Sequence, residues 1–320
     1  MRLGATARPQ PPKHPLVSLG FYTGNPTTNA EIEALLPKIA PRKFDTVLQY
    51  RNRNAAAGES TGPQIVRSTD AAAMAIAGAS TMTIGYYLGK ENQGTLATGS
   101  LTNVATGVLD AFFKEEAERA AACGYGIICR LCPELNGRWQ SGTFSGPYGF
   151  EHEEPAGFVE GWKHVVNIFR EKGATNVKWC WNPSVWTPEK DGADTCDPTP
   201  WYPGDAYVDY IGLDGYAYGS KVAGTPEELF MPSYEASRVI SKKPVLLCEV
   251  GIAEDVRYSK ARWVNEMFRL VNEKMPAVRG ITWWVTASGG ETEWSIDSSG
   301  TDIASREAYK AGVNTHPLVN

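Results

Sequence analysis

Two apolar segments that each end in a glutamate decide the fold of this chain: GIICRLCPE at residues 126–134 and PVLLCE at residues 244–249. Each is interpreted as a short buried strand, because a mostly apolar run of this length is typical of a parallel strand covered on both faces. In a barrel of parallel strands, the residues that do chemistry lie at the carboxyl ends of the strands. Glu134 and Glu249 are therefore the first candidates for a functional site.

The alternation of strand and helix continues along most of the 320 residues. The segments predicted as strands are Leu16–Tyr22, Thr46–Tyr50, Thr81–Leu88, Gly126–Leu131, Val177–Asn182, Val208–Leu213, Pro244–Glu249 and Gly280–Val285. Helical periodicity is found near residues 29–40, 67–78, 103–122, 155–172, 226–241, 258–274 and 301–311. This pattern favours an α/β fold, a (β/α)8 TIM barrel in one domain over residues 16–320. The alternative is a doubly wound open sheet, but the first strand is not followed by the glycine-rich phosphate turn typical of that fold.

The N-terminal residues 1–15 differ in composition from the rest of the chain. Four of residues 7–15 are proline, which predicts an extended arm or linker. The N-terminus lacks the apolar stretch of a signal peptide, so the protein is either not secreted by that route or is a mature or excised form. Extracellular action is expected, but the sequence leaves the localisation open.

Composition limits the classes of partner. A net charge of −5 gives no reason to expect nucleic acid or an anionic membrane as partner, and no apolar run reaches the length of a membrane span. We expect a monomer. The ten Trp and fourteen Tyr provide flat rings that bind the apolar faces of sugars, although such residues also fill cores.

Neither a metal nor a cofactor is expected. The six cysteines are interpreted as free thiols, and the C-x-x-C of Cys129 and Cys132 lies in a strand without a second pair that could complete a zinc site. Asp191, Asp194 and Asp197 are suggestive of a calcium loop, but their spacing misses the EF-hand pattern, which favours an acidic surface loop.

A pair of carboxyl groups brought together from two strand ends is the requirement for hydrolysing a glycosidic bond. The longest irregular segments follow the fourth, fifth and eighth strands, at residues 135–154, 183–206 and 286–300. They are rich in aromatic rings and would emerge on the catalytic face of a barrel. An aromatic groove there suits a polymeric glycan better than a small metabolite.

Several motifs resemble those of glycoside hydrolase family 26, which includes β-mannanases. RLCPELNGRW at 130–139 is similar to the acid/base motif R-x-x-H-E-x-N-G-x-W. The further matches are WCWNP at 179–183, YPGDAYVDYIGLDGY at 202–216, KPVLLCEVG at 243–251, WW at 283–284 and EWSIDSS at 293–299. The resemblance spans roughly residues 16–311 and is weakest in the N-terminal third.

The resemblance implies a retaining, endo-acting glycosidase that cleaves β-1,4-mannan or a related β-glycan, such as mixed-linkage β-glucan or β-1,3-xylan. It makes Glu134 the general acid/base and Glu249 the nucleophile, which Tyr216 would hold in orientation. The other residues expected around the substrate are Arg130, Asn136, Trp139, Trp181, Asn182, Trp283 and Trp284. Among them, Trp139, Trp181 and one of Trp283 or Trp284 are the expected sugar platforms.

One position departs from the family pattern, because Pro133 replaces the histidine that precedes the acid/base. Its loss removes a donor beside the cleaved sugar and puts mannan specificity in doubt. The competing interpretation is a non-catalytic carbohydrate-binding barrel within a larger cell-wall or viral tail protein.

Overall fold

A computed structural model of the protein describes residues 18–22, 44–52, 65–88, 101–137, 154–186, 195–217, 224–253, 259–284, 296 and 302–315. Parallel strands close into a barrel in chain order, with the last strand beside the first. The strands are β1 (Ser18–Tyr22), β2 (Thr46–Asn52), β3 (Thr81–Tyr87), β4 (Gly126–Leu131), β5 (Val177–Trp181), β6 (Tyr210–Ala217), β7 (Val245–Ile252) and β8 (Val278–Trp284). The predicted (β/α)8 barrel is confirmed.

Helices follow the strands in the expected alternation. They are α1 (Asp70–Ala77), α2 (Leu101–Val104), α3 (Asp110–Ala122), α4 (Pro155–Glu171), α5 (Pro226–Ile240), α6 (Lys260–Lys274) and α7 (Ile303–Thr315). The predicted arm at 1–15 and the predicted helix at 29–40 lie outside the described residues. Within the described residues no helix has the length and apolar character needed to cross a membrane.

The prediction of one continuous helix over 103–122 is wrong, because the structure has two helices there, α2 and α3. Gly107 lies between them with a φ of 87°, a left-handed conformation that a glycine adopts without strain and that a continuing helix excludes. Strands β6 and β7 also extend beyond their predicted ends at Leu213 and Glu249, to Ala217 and Ile252.

The start of α5 shows how sequence fixes a helix boundary. Thr225 precedes the helix and its hydroxyl accepts from the backbone N–H of Glu228 at 3.1 Å. The Glu228 carboxylate accepts in return from the backbone N–H of Thr225 at 2.9 Å. This capping box satisfies two N–H groups that have no partner within the helix, so α5 begins at Pro226.

Side chains alternate between the barrel interior and the helices along each strand. The side chains that face the helices form the main core, whose largest fully buried members are Trp162, Trp181, Trp263 and Trp283. A smaller cluster lies inside the barrel and consists of Ile128, Cys180, Tyr210, Leu246 and Cys248. We call this cluster the barrel floor, because the functional residues described below lie one layer above it.

An ion pair on the outer face of β2 joins the barrel to α1. The guanidinium of Arg51 donates to Asp70 Oδ1 at 2.5 Å and to the backbone carbonyl of Ile65, and both charged side chains are almost fully buried. The other carboxylate oxygen of Asp70 accepts from the hydroxyl of Tyr125 and from the backbone N–H of Arg67, each at 2.9 Å. The pair thus connects β2, the segment before α1 and the start of β4.

Replacing Asp70 by alanine is expected to lower the free energy of unfolding by about 3–5 kcal/mol, because the buried Arg51 charge would lose its partner. Urea denaturation followed by circular dichroism measures the change. The matched control is Glu227→Ala, which removes the exposed ion pair to Lys274 and should cost less than about 1 kcal/mol. Equal effects of the two variants would contradict this account of the Arg51–Asp70 pair.

Candidate active site

Three carboxyl groups meet inside the barrel above its floor. They belong to Glu134, Asp214 and Glu249, and one oxygen of each lies within 4.8 Å of an oxygen of the other two. Glu134 follows β4, whereas Asp214 and Glu249 lie on the neighbouring strands β6 and β7. The structure therefore brings together the two glutamates that the sequence singled out, and adds an aspartate that it did not.

The backbone around Glu134 is unusual. Cys132 and Glu134 have φ values of 52° and 57°, in the left-handed region that non-glycine residues rarely adopt. The Glu134 N–H donates to the backbone carbonyl of Asn182 at 2.7 Å, and Ser184 Oγ donates to the Glu134 carboxylate at 3.1 Å. These contacts with the segment after β5 hold the strained turn, as is common where a functional residue must be aimed.

A β-bulge determines the direction of Glu249. The β6–β7 pairing runs Leu213 to Leu247 and then Asp214 to Glu249, so Cys248 is the extra residue on β7. Strict alternation would place Glu249 on the helix side, because Cys248 already faces the barrel floor. The bulge lets both side chains face inward, which is a known way for a strand to re-aim a residue next to an active site.

Three donors hold the carboxylate of Glu249. Its Oε1 accepts from the guanidinium of Arg130 and from the hydroxyl of Tyr50. Its Oε2 accepts from the hydroxyl of Tyr216 at 2.5 Å. Glu249 is only 4% exposed, so these donors replace the water that an exposed carboxylate would have. The carboxylate is held at both oxygens and has one orientation.

Arg130 is the centre of the buried polar network. Its Nη2 donates to Asp214 at 2.5 Å and to Glu249, its Nε donates to Asn182 Oδ1, and its Nη1 donates to Tyr50 at 3.2 Å. The side chain is fully buried, as are those of Asn182 and Asp214. Arg130 therefore provides a shared cation for Asp214 and Glu249, and Asn182 fixes the direction of the guanidinium.

Burial and mutual repulsion change the proton affinity of this network. Burial raises the pKa of Asp214 to about 8 against the charge of Arg130, and the nearby Glu134 adds to the rise. Burial likewise raises the pKa of Glu249 above its ordinary value, while the donors described above oppose that rise. Burial also raises the pKa of Tyr216, so its hydroxyl stays a donor. Burial therefore favours the protonated forms of Asp214 and Glu249, whereas the donors of this network favour their ionised forms.

The carboxyl oxygens of Glu134, Asp214 and Glu249 are the only group of metal-ligating side chains within the described ranges that lie close enough to share an ion. Arg130 donates to two of the three. A guanidinium already supplies positive charge at the place where an ion would have to bind, so the donor set fits an arginine better than a metal.

An aromatic wall lies beside Glu249. The ring of Tyr87 stacks on Tyr50 with centroids 5.7 Å apart, and Trp284 lies 6.0 Å from Tyr50 and 5.8 Å from Tyr216. Tyr87, Tyr216 and Trp284 are partly exposed. The wall therefore provides ring faces next to the carboxyl groups, which is the surface that binds a sugar.

Two of the predicted sugar platforms face away from this site. Trp181 is fully buried and its indole N–H donates to the carbonyl of Trp201 at 3.2 Å. Trp283 is also fully buried, packed against Phe268 of α6 and Tyr309 of α7. Both rings lie between the strands and the helices, which corrects the expectation that they contact substrate and leaves Trp284 as the platform on β8.

Asn136 also has a structural place. Its amide nitrogen donates to the carbonyls of Ser184 and Cys196 at 3.0 Å each, and its oxygen accepts from the Ser184 N–H at 2.8 Å. The residue is fully buried. Because its amide is used in joining these segments, Asn136 holds the loop of Glu134 rather than facing a sugar, which corrects the predicted substrate contact.

Some predicted features fall elsewhere. Trp139 lies outside the described residues, as do Asp191 and Asp194 of the acidic loop. Cys129 and Cys132 are buried and form no disulfide, as the sequence predicts. Tyr50, Asp214 and Ser184 were not singled out from the sequence. The signal for Asp214 was its place in the GLDGY stretch two residues before Tyr216, whereas nothing in the apolar β2 segment distinguished Tyr50 from a core tyrosine.

Sequence comparisons relate this chain to known glycosidases. Residues 94–232 match the model of glycosyl hydrolase family 26. Endoglucanase H of Acetivibrio thermocellus is 32% identical over 216 residues, which are 66% of this chain and 23% of that protein. Mannan endo-1,4-beta-mannosidase A and B of Caldalkalibacillus mannanilyticus is 24% identical over 134 residues, 42% of this chain and 23% of that protein. The chain thus spans about a quarter of the length of these relatives.

Solved structures share the fold. Mannanase man26 of Bacillus subtilis superposes with a TM-score of 0.62 at 16% identity, covering 94% of this chain and 85% of that one. The mannanase BoMan26A of Bacteroides ovatus gives a TM-score of 0.60 at 14% identity, covering 94% and 89%. At such identity the likeness establishes the barrel fold alone.

Proposed function

The chain belongs to glycosyl hydrolase family 26, and on that premise we propose that it is a retaining, endo-acting glycoside hydrolase of a β-linked polysaccharide. Glu249 is the proposed nucleophile and Glu134 the proposed general acid and base. The remaining site residues proposed to contact the sugar or to position these two groups are Arg130, Asn182, Asp214, Tyr216, Trp139 and Trp284.

The separation of the carboxyl groups carries this proposal. Oxygens of Glu134 and Glu249 lie within 4.8 Å of each other, close to the ~5–5.5 Å of retaining enzymes. Inverting enzymes need about 6.5–9.5 Å, because a water molecule must fit between one carboxylate and the sugar. The observed separation favours direct attack on the sugar by one carboxylate.

In the first proposed step, the Glu249 carboxylate attacks the anomeric carbon while the protonated Glu134 donates its proton to the departing glycosidic oxygen. The bond from carbon to that oxygen breaks, and an ester bond from carbon to Glu249 forms. The roles fit the surroundings, because Glu249 accepts from Arg130, which favours its ionised form. Glu134 accepts from the hydroxyl of Ser184, a neutral donor.

In the second proposed step, Glu134 is ionised and takes a proton from a water molecule that attacks the same carbon. The ester bond breaks and returns the electron pair to Glu249, which becomes a carboxylate again. Two inversions give net retention of the anomeric configuration. Arg130 and Tyr216 donate to the Glu249 carboxylate and stabilise its negative charge as it forms again.

The glycan is proposed to be a β-1,4-linked or mixed-linkage glucan in the first instance, with mannan as the second candidate. The identity to a named endoglucanase is 32%, against 24% to a named mannanase. Pro133 supports a departure from mannan, because it replaces the histidine of the family pattern, which the resemblance places beside the cleaved sugar. A buried proline offers no side-chain donor to a sugar hydroxyl.

A carbohydrate-binding barrel without turnover is the alternative from another class. The buried network argues against it, because binding a neutral sugar does not require a carboxylate held by three donors at 4% exposure. Burying such charged groups destabilises the fold by several kcal/mol. A site that only binds a neutral sugar would gain nothing from that burial.

Reducing-sugar release from a panel of glycans tests the proposal. The panel contains mixed-linkage glucan, carboxymethyl cellulose, galactomannan, β-1,3-xylan and bacterial cell-wall glycan. We expect release from a glucan, a rapid fall in its viscosity because cleavage is internal, and β-anomeric product in the first proton NMR spectra. Binding to a panel member without release would favour the binding barrel, and an α-anomeric first product would contradict retention.

A further inference from the structure

Tyr50 of β2 occupies a position in the network that the two-carboxylate chemistry does not assign. Its hydroxyl donates to Glu249 Oε1 and accepts from Arg130 Nη1 at 3.2 Å. Tyr216 holds the other oxygen of the same carboxylate. Each oxygen of Glu249 thus has its own phenol, one contributed by β2 and the other by β6.

The ring of Tyr50 is held as firmly as its hydroxyl. It stacks on Tyr87 with an interplanar angle of 12°, and the guanidinium carbon of Arg130 lies 5.5 Å from the ring centroid. Gly85 of β3 provides the space, since a Cβ there would lie 2.7 Å from two ring carbons of Tyr50. Any side chain larger than that of glycine at position 85 would therefore displace the ring of Tyr50.

We propose that Tyr50 is a second positioning residue of the nucleophile, which relays the charge of Arg130 to Glu249 Oε1 and stabilises the carboxylate whenever it is free. A phenol that accepts from a guanidinium is a stronger donor to the next group in the chain. The proposal rests on the proposed function for its kinetic consequence, although the titration of Glu249 that it predicts does not depend on turnover.

The two chemical steps should respond differently to loss of this hydroxyl. Glycosylation consumes the negative charge of Glu249, so a donor to the free carboxylate assists it little beyond keeping it ionised. Deglycosylation returns the charge, so the same donor stabilises its transition state. Tyr50→Phe should therefore lower kcat for an aryl glycoside with a good leaving group by about tenfold, and lower KM with it, because the ester intermediate accumulates.

Carbon-13 NMR of glutamate carboxyls titrates Glu249 directly in the absence of any sugar, with Glu249→Gln used to assign its resonance. In Tyr50→Phe we expect the midpoint to rise by about one pH unit, because a donor to the ionised form is lost while the ring remains. Gly85→Ala should raise the midpoint as well, because it displaces the same hydroxyl without deleting it. The acid limb of kcat/KM for 2,4-dinitrophenyl cellobioside should move upward in parallel.

Tyr210→Phe is the matched control. It removes the hydroxyl of a buried tyrosine in the barrel floor and should leave the titration midpoint of Glu249 unchanged. Thermal denaturation shows whether each variant is folded. A midpoint in folded Tyr50→Phe within about 0.3 of a unit of wild type, or an equal shift in Tyr210→Phe, would overturn the proposal. A wild-type chain without turnover on any glycan would instead overturn the proposed function and leave the titration to decide the place of Tyr50.

Discussion

Replacing Glu249 by alanine is expected to lower kcat by about four orders of magnitude or more on every glycan that the wild-type chain cleaves. The variant has no group that can form the ester intermediate, while Arg130, Tyr50 and Tyr216 remain around an empty position. The expected residual rate is small because water has no base on that face of the sugar. Reducing-sugar release and stopped assays with an aryl glycoside measure the loss.

Addition of azide to Glu249→Ala tests whether the lost group is the nucleophile. In Glu249→Ala the small anion can enter the space left by the carboxylate, beside Arg130, and attack the anomeric carbon while the aryl group leaves. The product is the glycosyl azide of inverted, α configuration, which proton NMR identifies. Glu227→Ala is the control, since Glu227 lies on the surface in an exposed ion pair. Full activity of Glu249→Ala, or a β-azide product from it, would exclude Glu249 as the nucleophile.

Replacing Glu134 is expected to have an effect that depends on the leaving group. For a polysaccharide, whose departing hydroxyl needs a proton, Glu134→Gln should lower kcat by about a thousandfold. For a dinitrophenyl glycoside the first step needs no acid, so kcat/KM should fall much less, while kcat falls because the second step lacks its base. Glutamine keeps the shape of the side chain, so the left-handed turn of Glu134 and its backbone contacts should be preserved.

Addition of azide also tests whether Glu134 is the general acid and base. In Glu134→Ala it replaces water as the attacking group in the second step, needs no base, and should restore kcat for the dinitrophenyl glycoside. The product should be the β-azide, the opposite anomer from that of Glu249→Ala. Equal losses on the aryl glycoside and the polysaccharide would contradict the role of Glu134, because such losses would indicate a general defect of the site.

The sequence predicted the barrel but could predict only part of the site. Eight apolar segments fix eight strands, since their length and spacing leave few other parallel arrangements. The direction of Glu249 could not be obtained in this way, because it depends on the bulge at Cys248. Counting alternate residues from Leu246 would place Glu249 against the helices. A bulge is a property of pairing between strands, and a single sequence carries no direct record of it.

For two aromatic residues of the site, the sequence limits the possible orientations even though it does not decide between them. Trp283 and Trp284 are adjacent, so only one of them can face the barrel interior. The sequence left that choice open, and the structure resolves it by packing Trp283 against α6 and α7. Tyr50 was missed for a different reason, because a tyrosine in an apolar strand is common and its partner Glu249 is far away along the chain.

The Arg51–Asp70 pair has a consequence for how the barrel is assembled. A strand that pairs one residue out of register exchanges its inward and outward side chains, and on β2 this would carry Arg51 inward and turn Tyr50 outward. The arginine would then lose both Asp70 and the carbonyl of Ile65, leaving a buried cation without its partners. Misregistered pairing is thus rejected on the outside of the barrel, by residues that never meet the sugar. The ion pair therefore favours the one alignment of β2 that keeps Tyr50 on the inward face, next to the reactive carboxyl groups.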